Sequence, residues 1–199
     1  MPVDMAILLA VGRVLSLVKE QLPGSVKLFF QPAEETIGGA KRMIAAGCLT
    51  EPNVDYVLGL HVEPGLDTGQ IGIRYGKMYA ASDMVDIQVM GKGAHGAHPE
   101  EGVDSILAAA NFLNSLQTLV SRKISPLNSA VCSFGKIQGG TARNQIADVT
   151  KLEGIIRTLD QDTRLFMRKQ LKRLAKGVGE AMGAEIQVHI TESYGPLIN

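Results

Sequence analysis

Met84-Val85-Asp86-Ile87-Gln88-Val89 (MVDIQV, residues 84–89) decides the fold, because apolar and polar side chains alternate along it. A period of two is typical of a strand that has one buried face and one face in water. The apolar runs before Gly76 show no such alternation. The sequence therefore predicts a change of architecture near residue 76.

The chain from residue 84 onward predicts an α+β module. Besides the strand around 84–90, the pattern predicts strands near 129–138, 147–158 and 186–190 and helices over 103–122 and 161–182. The order β-α-β-β-α-β across 84–191 is typical of a ferredoxin-like fold, a four-stranded antiparallel sheet with both helices on one face.

The helix over 161–182 has a basic side. Its outer face is predicted to carry six cations, which are Arg164, Arg168, Lys169, Lys172, Arg173 and Lys176. A nucleic-acid or membrane surface is one interpretation, but a solvated helix face with acids at both ends is the more ordinary one. Because 20 Lys+Arg balance 20 Asp+Glu, we expect neither nucleic acid nor membrane as a partner.

The first 75 residues predict an α/β region. Apolar runs at 25–30 and 54–60 resemble strands, and helices are expected over 4–22 and 36–46. Strands that are apolar on both faces and separated by a helix are typical of a right-handed βαβ unit. We therefore predict a parallel sheet covered on both faces in this region.

The N-terminal stretch and the cysteines bear on location. Arg13 and Lys19 interrupt the first apolar run, which argues against both a membrane-spanning helix and a signal peptide. Cys48 and Cys132 lie far apart in apolar sequence. Reduced thiols are the simpler interpretation, so we expect a cytoplasmic protein.

Polar residues follow both predicted strands of the first 75 residues. Glu34 and Glu35 come after the first strand, and His61 ends the second. Since the carboxyl ends of parallel strands share an edge, the three side chains would converge there. They could form a divalent metal site with a glutamate base. Alternatively, the glutamates are first-turn helix acids and the histidine is a satisfied strand-end residue.

Two loops in the α+β module are further candidates. Small residues flank His95, which lets the backbone approach a ligand closely and leaves the imidazole exposed. His98 completes an H-x-x-H pair, but the glycine and proline around it favour an exposed loop. The loop from Gly139 to Asn144 is either an anion-binding loop or a hairpin turn. Arg157, taken alone, is interpreted as a surface cation.

Five runs of the chain carry a resemblance to a known family. They are FFQPAEE (29–35), GLHV (59–62), GKGAHGAHPEEGVDSILAA (91–109), GGTARNQI (139–146) and LEGIIRTLD (152–160). In this order they resemble peptidase family M20, the metal-dependent amidohydrolases, and most of all its aminoacylase, hippurate hydrolase and auxin-conjugate hydrolase branch. The resemblance implies hydrolysis of the amide bond of an N-acyl amino acid by metal-activated water.

The resemblance implies roles for residues of the first region. Glu34 corresponds to the family's general base, and Glu35 and His61 correspond to metal ligands. The intact family site holds two divalent metals, which we expect to be zinc or manganese, with cobalt and nickel as alternatives. Amide hydrolysis is served by this combination of a Lewis acid and an activated water.

The resemblance also implies roles in the α+β module, which in the family is a lid and dimerisation domain. His95 corresponds to a histidine that reaches the active site of a second copy and stabilises the oxyanion. Asn144 and Arg157 correspond to contacts with the substrate carboxylate or the transition state. We therefore expect a homodimer that acts on a small molecule.

The chain departs from the family pattern at both ends. It lacks the family's Cys-Gly-His-Asp-x-His run before residue 4 and a last histidine ligand near the other end. We therefore expect a truncated member, with part of a catalytic domain over 1–75, the lid over 76–191 and a return to the catalytic domain over 192–199. Since its dinuclear site would be incomplete, the alternative function is a non-catalytic dimerisation or binding module.

Overall fold

The computed structural model describes residues 2–34 and 38–199 of the chain. The chain divides into two compact units, residues 1–73 and residues 74–199. In the described residues, the first unit holds two α-helices and the second holds two α-helices and all the assigned strands. None of the described helices is both long and apolar enough to cross a membrane.

Helix α1 spans Pro2–Leu17. Proline in the first turn and Asp4 close behind it suit a helix N-terminus, where N–H groups lack helical partners and carry partial positive charge. One 3₁₀ turn over Lys19–Gln21 continues the helix. The prediction of a helix over 4–22 is therefore confirmed, with a tighter last turn.

Helix α2 spans only Ala40–Ala45. The sequence predicts a helix over 36–46, and residues 36 and 37 of that range lie outside the described residues. The N–H of Ala46 donates to carbonyl groups of the last turn. The helix therefore ends where the sequence predicts its end.

The parallel βαβ unit predicted for residues 1–75 is wrong for the described residues. Segments 25–30 and 54–60 carry no strand assignment and belong to no sheet, and Leu58 is 98% exposed. A continuous apolar run suits a strand that is covered on both faces. A strand also needs a neighbouring strand to pair its backbone N–H and C=O groups, and the run itself does not provide one. No such strand lies among the described residues of this unit.

Residues 74–199 contain every strand and helix predicted for the α+β module, within a few residues of the predicted bounds. In chain order the elements are β1 (Lys77–Tyr79), β2 (Ala81–Met90), β3 (Ala94–His95), α3 (Ser105–Lys123), β4 (Ala130–Gly139), β5 (Gln145–Ile146), β6 (Val149–Thr158), α4 (Gln161–Met182), β7 (Glu185–Glu192) and β8 (Leu197–Ile198). The short strands β1, β3, β5 and β8 are not predicted from the sequence.

The main sheet has the strand order β4-β6-β2-β7, and all neighbours in it are antiparallel. β2 and β6 pair along their full length, from Ala81 opposite Thr158 to Met90 opposite Val149. The predicted four-stranded antiparallel sheet is therefore confirmed. Two smaller pairs, β1 with β8 and β3 with β5, complete the strand pairing of this unit.

The core lies between the main sheet and helices α3 and α4. Val85, Ile87 and Val89, the apolar side of the alternating run in β2, are buried. They belong to one cluster with Phe112 of α3 and Leu171 of α4. Both helices therefore cover the same face of the sheet, as predicted. The side chains on the other face are exposed along β6.

Both long helices begin at an aspartate. Asp104 Oδ1 accepts hydrogen bonds from the N–H groups of Ile106 at 2.9 Å and Leu107 at 3.0 Å. Asp160 Oδ1 accepts from the Thr163 N–H at 2.7 Å. These caps satisfy N–H groups that have no helical partner, which explains why α3 begins two residues later than predicted.

Candidate functional site

The two candidate loops of residues 74–199 meet through a pair of short strands. β3 pairs with β5 so that His95 lies opposite Gln145. The Gly96 N–H donates to the Asn144 carbonyl oxygen at 2.8 Å. The structure therefore brings His95 and Asn144 together, although they are far apart in the sequence.

Close backbone approach at this junction requires glycine. A Cβ added at Gly91 would lie 2.1 Å from the Val103 carbonyl oxygen, and one added at Gly96 would lie 3.0 Å from that of Asn144. These neighbours are backbone atoms, which cannot turn away as a flexible side chain can. The small residues of the GKGAHG run are therefore needed to seat the His95 loop.

The exposed imidazole of His95 is oriented by its own loop. Its Nδ1 accepts a hydrogen bond from the Ala97 N–H at 3.1 Å. A ring nitrogen that accepts carries no proton, so the proton of the neutral ring is on Nε2. His95 therefore offers an Nε2–H donor.

Among the described residues, His95 and His98 have no third side chain beside them that could complete a metal site. The two ring centroids are 5.8 Å apart and the rings are tilted by 51°, and His98 Nδ1 lies 3.6 Å from Glu100 Oε1. Within residues 2–34 and 38–199, no three His, Cys, Asp or Glu side chains group as a metal site. The geometry supports the interpretation of His98 as an exposed loop residue.

The loop that carries Asn144 is a tight turn. The Gln145 N–H donates to the Ala142 carbonyl at 3.3 Å, and the Thr141 hydroxyl donates to Gln145 Oε1 at 3.3 Å. Asn144 itself is exposed. Of the two interpretations of this loop, the geometry supports the turn, with Asn144 beside the His95 loop.

Arg157 lies at the other end of the main sheet. It follows the first residue of β6, Val149, by eight positions, which at the rise of a strand is about 26 Å. His95 follows Met90, the residue that faces Val149 in the sheet. Arg157 is therefore not brought together with His95 and Asn144 within one chain.

Glu34 and His61 lie in residues 1–73, and both are exposed. His61 Nδ1 lies 2.7 Å from the Val62 carbonyl oxygen. That oxygen can only accept, so Nδ1 carries a proton. In the neutral ring Nε2 then has the lone pair, the form in which histidine binds a metal. Glu35 lies outside the described residues. Because the parallel sheet is not formed, the common sheet edge predicted for these side chains is not present in the described residues.

A buried ion pair is the feature that the sequence analysis missed. Arg164 donates from Nε to Asp83 Oδ2 at 2.9 Å and from Nη2 to Oδ1, and both side chains are at most 4% exposed. The prediction that Arg164 lies on the outer face of its helix is therefore wrong. Its spacing of three from Met167 and seven from Leu171 places it on the buried line. That spacing was the signal that could have revealed it.

The ion pair ties α4 to the ends of two strands. Arg164 Nη2 also donates to the Ser193 carbonyl at 3.4 Å, and Arg168 pairs with Glu192 at 2.6 Å. The hydrogen bond to Asp83 raises the pKa of Arg164 above its ordinary value, so Arg164 remains a cation. Removing one partner of this network would leave a buried charge unpaired.

Cys132 is not a candidate nucleophile. Burial raises the pKa of its thiol to about 11. The thiolate is the reactive form of cysteine, and almost none of it is present at neutral pH in such a site. The candidate chemistry therefore rests on carboxylates, imidazoles, Asn144 and Arg157.

Comparison with known proteins identifies the family. The profile described as Peptidase family M20/M25/M40 matches residues 3–199. The chain belongs to peptidase family M20. It is 37% identical over 195 residues to the N-acyl-L-amino acid amidohydrolase of Geobacillus stearothermophilus, covering 98% of this chain and 52% of that protein. Other curated relatives are named N-acetyldiaminopimelate deacetylase and N-acetyl-L-cysteine deacetylase.

Solved structures agree with this membership. A protein of methicillin-resistant Staphylococcus aureus matches with a TM-score of 0.88 and 36% identity, over 98% of this chain and 51% of that chain. The YXEP protein of Bacillus subtilis, described as a dinuclear metal binding peptidase from the M20 family, matches with a TM-score of 0.76 and 28% identity, over 98% and 49%. The chain thus spans about half the length of the curated relatives and solved structures named here. The resemblance to a family of hydrolases is confirmed.

Proposed function

We propose that this chain belongs to a metal-dependent amidohydrolase that cleaves the amide bond of N-acyl amino acids with an activated water. Family membership and the names of the relatives support the proposal. The observation that carries it is the opposite hydrogen bonding of two histidines. His61 is held with Nε2 free to bind a metal, and His95 is held with Nε2–H free to donate.

His61 fits a divalent metal. Its hydrogen bond to the Val62 carbonyl orients the ring in the way that such bonds orient metal-binding histidines. His61 and, by the family pattern, Glu35 would hold the metal, which when bound supplies Lewis acidity and lowers the pKa of a water. We propose zinc or manganese, with cobalt or nickel as alternatives, because imidazole and carboxylate ligands suit these ions.

The remaining chemistry is assigned to the chain's own side chains. Glu34 takes a proton from the attacking water and gives it to the leaving amine. His95 donates from Nε2 to the oxygen on which negative charge develops. Arg157 binds the carboxylate of the substrate through its charge. Asn144, which lies beside His95, contacts the transition state.

A homodimer through the lid is part of this proposal. His95 and Arg157 lie at opposite ends of a sheet that extends for about 26 Å between them, further than an N-acyl amino acid extends. One chain therefore cannot place both on one substrate. His95 of a second copy would complete the site, in a symmetric arrangement that gives two equivalent sites.

Mixing two inactive variants tests the homodimer. Glu34→Ala and His95→Ala each remove one residue of the proposed site, and a mixed dimer holds one site with both residues intact. Statistical mixing of two-fold dimers is expected to restore about one quarter of the original turnover. A mixture that stays inactive would contradict the shared site.

A second candidate function is a non-catalytic dimerisation or binding module. The observation that favours it is that residues 74–199 form an α+β unit with its own core, whereas the predicted metal ligands lie in the other unit. Such a module would take up no stoichiometric metal. Metal titration of the chain therefore distinguishes the two functions.

The deciding experiment measures metal content and hydrolysis of N-acyl amino acids by the 199-residue chain, with and without added zinc or manganese. We expect bound metal, turnover that Glu34→Ala abolishes without loss of metal, and loss of metal in His61→Ala. Glu20→Gln, which alters an exposed carboxylate paired with Lys19, is the matched control. Absence of both metal and turnover would overturn the enzyme and favour the binding module.

A cytoplasmic location is a further proposal. Cys48 and Cys132 are both free thiols, which suits a reducing compartment. Alkylation of freshly lysed cells without reductant, with the chain denatured first, should modify both cysteines. A disulfide-linked fraction would argue for an oxidising compartment.

A further inference from the structure

The exposed face of the main sheet is not uniformly polar. Side chains that lie opposite one another on neighbouring strands form rows across this face. Arg157 of β6 lies between Val131 of β4 and Ser82 of β2 in one such row. In the next row Ile155 lies opposite Met84. The three apolar side chains next to Arg157 (Val131, Ile155 and Met84) are between 37% and 51% exposed. Together with Arg157 they form what we call the Arg157 patch.

The positive charge of this patch is uncompensated. Arg157 makes no hydrogen bond or ion pair with any residue that the structure describes. The nearest carboxylate along its own strand face, Glu153, is four residues away, which is about 13 Å. Glu153 is itself paired with Lys136 at 2.6 Å. An anion is therefore the complementary ligand.

The apolar neighbours narrow the kind of anion. Val131 lies opposite Arg157 on the neighbouring strand, and Ile155 lies two residues away on the same strand face. A ligand whose carboxylate binds the guanidinium therefore places the group next to that carboxylate on these two side chains. A hydrated inorganic anion would gain nothing from these contacts. An organic carboxylate with an apolar group on the next carbon would cover exposed apolar surface and meet the charge together.

We propose that the Arg157 patch selects N-acyl amino acids whose side chain is apolar. The inference rests on the proposed function, because it assigns the carboxylate of that substrate to Arg157. The amino acid side chain lies on Ile155, Met84 and Val131. Derivatives of leucine, valine or phenylalanine bind more tightly than those of glycine, aspartate or lysine. Covering about 40 Å² of apolar surface corresponds to about a fivefold gain in affinity.

A titration of the isotope-labelled 199-residue chain followed by amide chemical shifts tests the proposal directly. The probes are N-acetyl-L-leucine, N-acetylglycine and N-acetyl-L-leucinamide, which has no carboxylate. We expect shifts at Ser82, Val131 and Arg157, a leucine derivative bound about fivefold more tightly than the glycine derivative, and no binding of the amide. Equal affinity for leucine and glycine derivatives would overturn the proposal.

Three variants separate this inference from the proposed function. Ile155→Thr keeps a β-branched residue in the strand and is expected to reduce the preference for the leucine derivative while the carboxylate remains necessary. Arg157→Gln is expected to abolish binding of both. Lys151→Gln, on the same face further along β6, is the matched control and should change neither. Binding that needs the carboxylate but shows no preference among side chains would overturn the proposed selectivity and leave the proposed function standing. The proposed function is tested separately, by the loss of turnover in Glu34→Ala.

Discussion

Residues 74–199 bury many of their apolar side chains in one core, whereas no apolar side chain among the described residues of 1–73 is buried. Phe112 and Leu116 are fully buried in the second unit, and Leu58 and Leu60 are exposed in the first. The local sequences around these residues are similarly apolar. Apolar content therefore does not explain the difference.

The difference follows from the kind of pattern each unit carries. In β2, polar residues alternate with apolar ones, so one layer of helices is enough to cover the apolar face. The runs at 25–30 and 54–60 are apolar on both faces and need cover on both. The described residues of the first unit provide no second layer. An apolar pattern therefore predicts structure reliably in the second unit, where the described residues include the helices that cover the apolar face.

The largest expected effect comes from comparing one large apolar residue in each unit. Phe112→Ala empties space in a closed core, so we expect a loss of about 3–5 kcal/mol in the free energy of unfolding. Leu58→Ala removes a side chain that is already in water, so we expect a change within about 0.5 kcal/mol. Urea unfolding followed by circular dichroism measures both. Equal losses would show that Leu58 is buried in solution and would break the comparison.

The second unit was predictable in detail because its local signals agree with one another. Alternation in β2, the apolar stripe of α4 and the aspartate caps of α3 and α4 all specify the same sheet and helices. The two- and three-residue strands β1, β3, β5 and β8 were not predictable, because a pairing that short leaves no periodicity. In the first unit the helices were predictable from spacing, whereas the predicted parallel pairing is wrong for the described residues.

The buried ion pair gives the next largest effect. Asp83→Ala leaves Arg164 buried without its carboxylate, so we expect a loss of about 3 kcal/mol in the stability of the second unit. The double variant Asp83→Leu/Arg164→Met replaces both charges by apolar groups and should recover most of it. Amide hydrogen exchange in β2 and β6 measures the opening of this unit. A double variant as unstable as the single one would contradict a purely structural role.

Two motif glycines allow a matched comparison at intermediate size. Gly91→Ala would place a Cβ 2.1 Å from the Val103 carbonyl oxygen, whereas Gly59 has no atom within 4 Å of such a Cβ. We expect Gly91→Ala to cost about 1–3 kcal/mol and Gly59→Ala to cost much less. Thermal unfolding of both variants measures the difference. A large cost at Gly59 would place a close neighbour beside the GLHV run.

The candidate site was predictable as residue types and only partly as geometry. The family pattern named His95 and Asn144, and the pairing of β3 with β5 brings them together. The same pattern named Arg157, yet the length of β6 separates it from them. The tautomers of His61 and His95 depend on single backbone hydrogen bonds, which no sequence pattern encodes. Sequence reasoning thus found the groups, and the sheet determined which of them can act within one chain.

The smallest expected effect is on stability at acidic pH. It tests whether the charge of Asp160, the residue that caps α4, stabilises the second unit. The hydrogen bond from the Thr163 N–H, helped by Lys77 at 3.8 Å, holds the pKa of Asp160 below its usual range. As the pH falls, Asp160 therefore takes up a proton in the unfolded chain before it does so in the folded chain. The stabilisation is complete above the unfolded pKa of about 3.9 and is lost as the pH falls through the lower folded pKa.

Asp160→Asn keeps an oxygen that can cap α4 and removes the titration. We expect the free energy of unfolding of the variant to be lower than that of the original chain by less than about 1 kcal/mol at pH 7. This gap is expected to close as the pH falls below about 4. Urea midpoints at a series of pH values measure that gap. Glu20→Gln, in the first unit and paired with exposed Lys19, should show no such convergence. If the Asp160 gap were constant with pH, the lost stability would come from the shape of the cap, and the second unit would owe nothing there to charge.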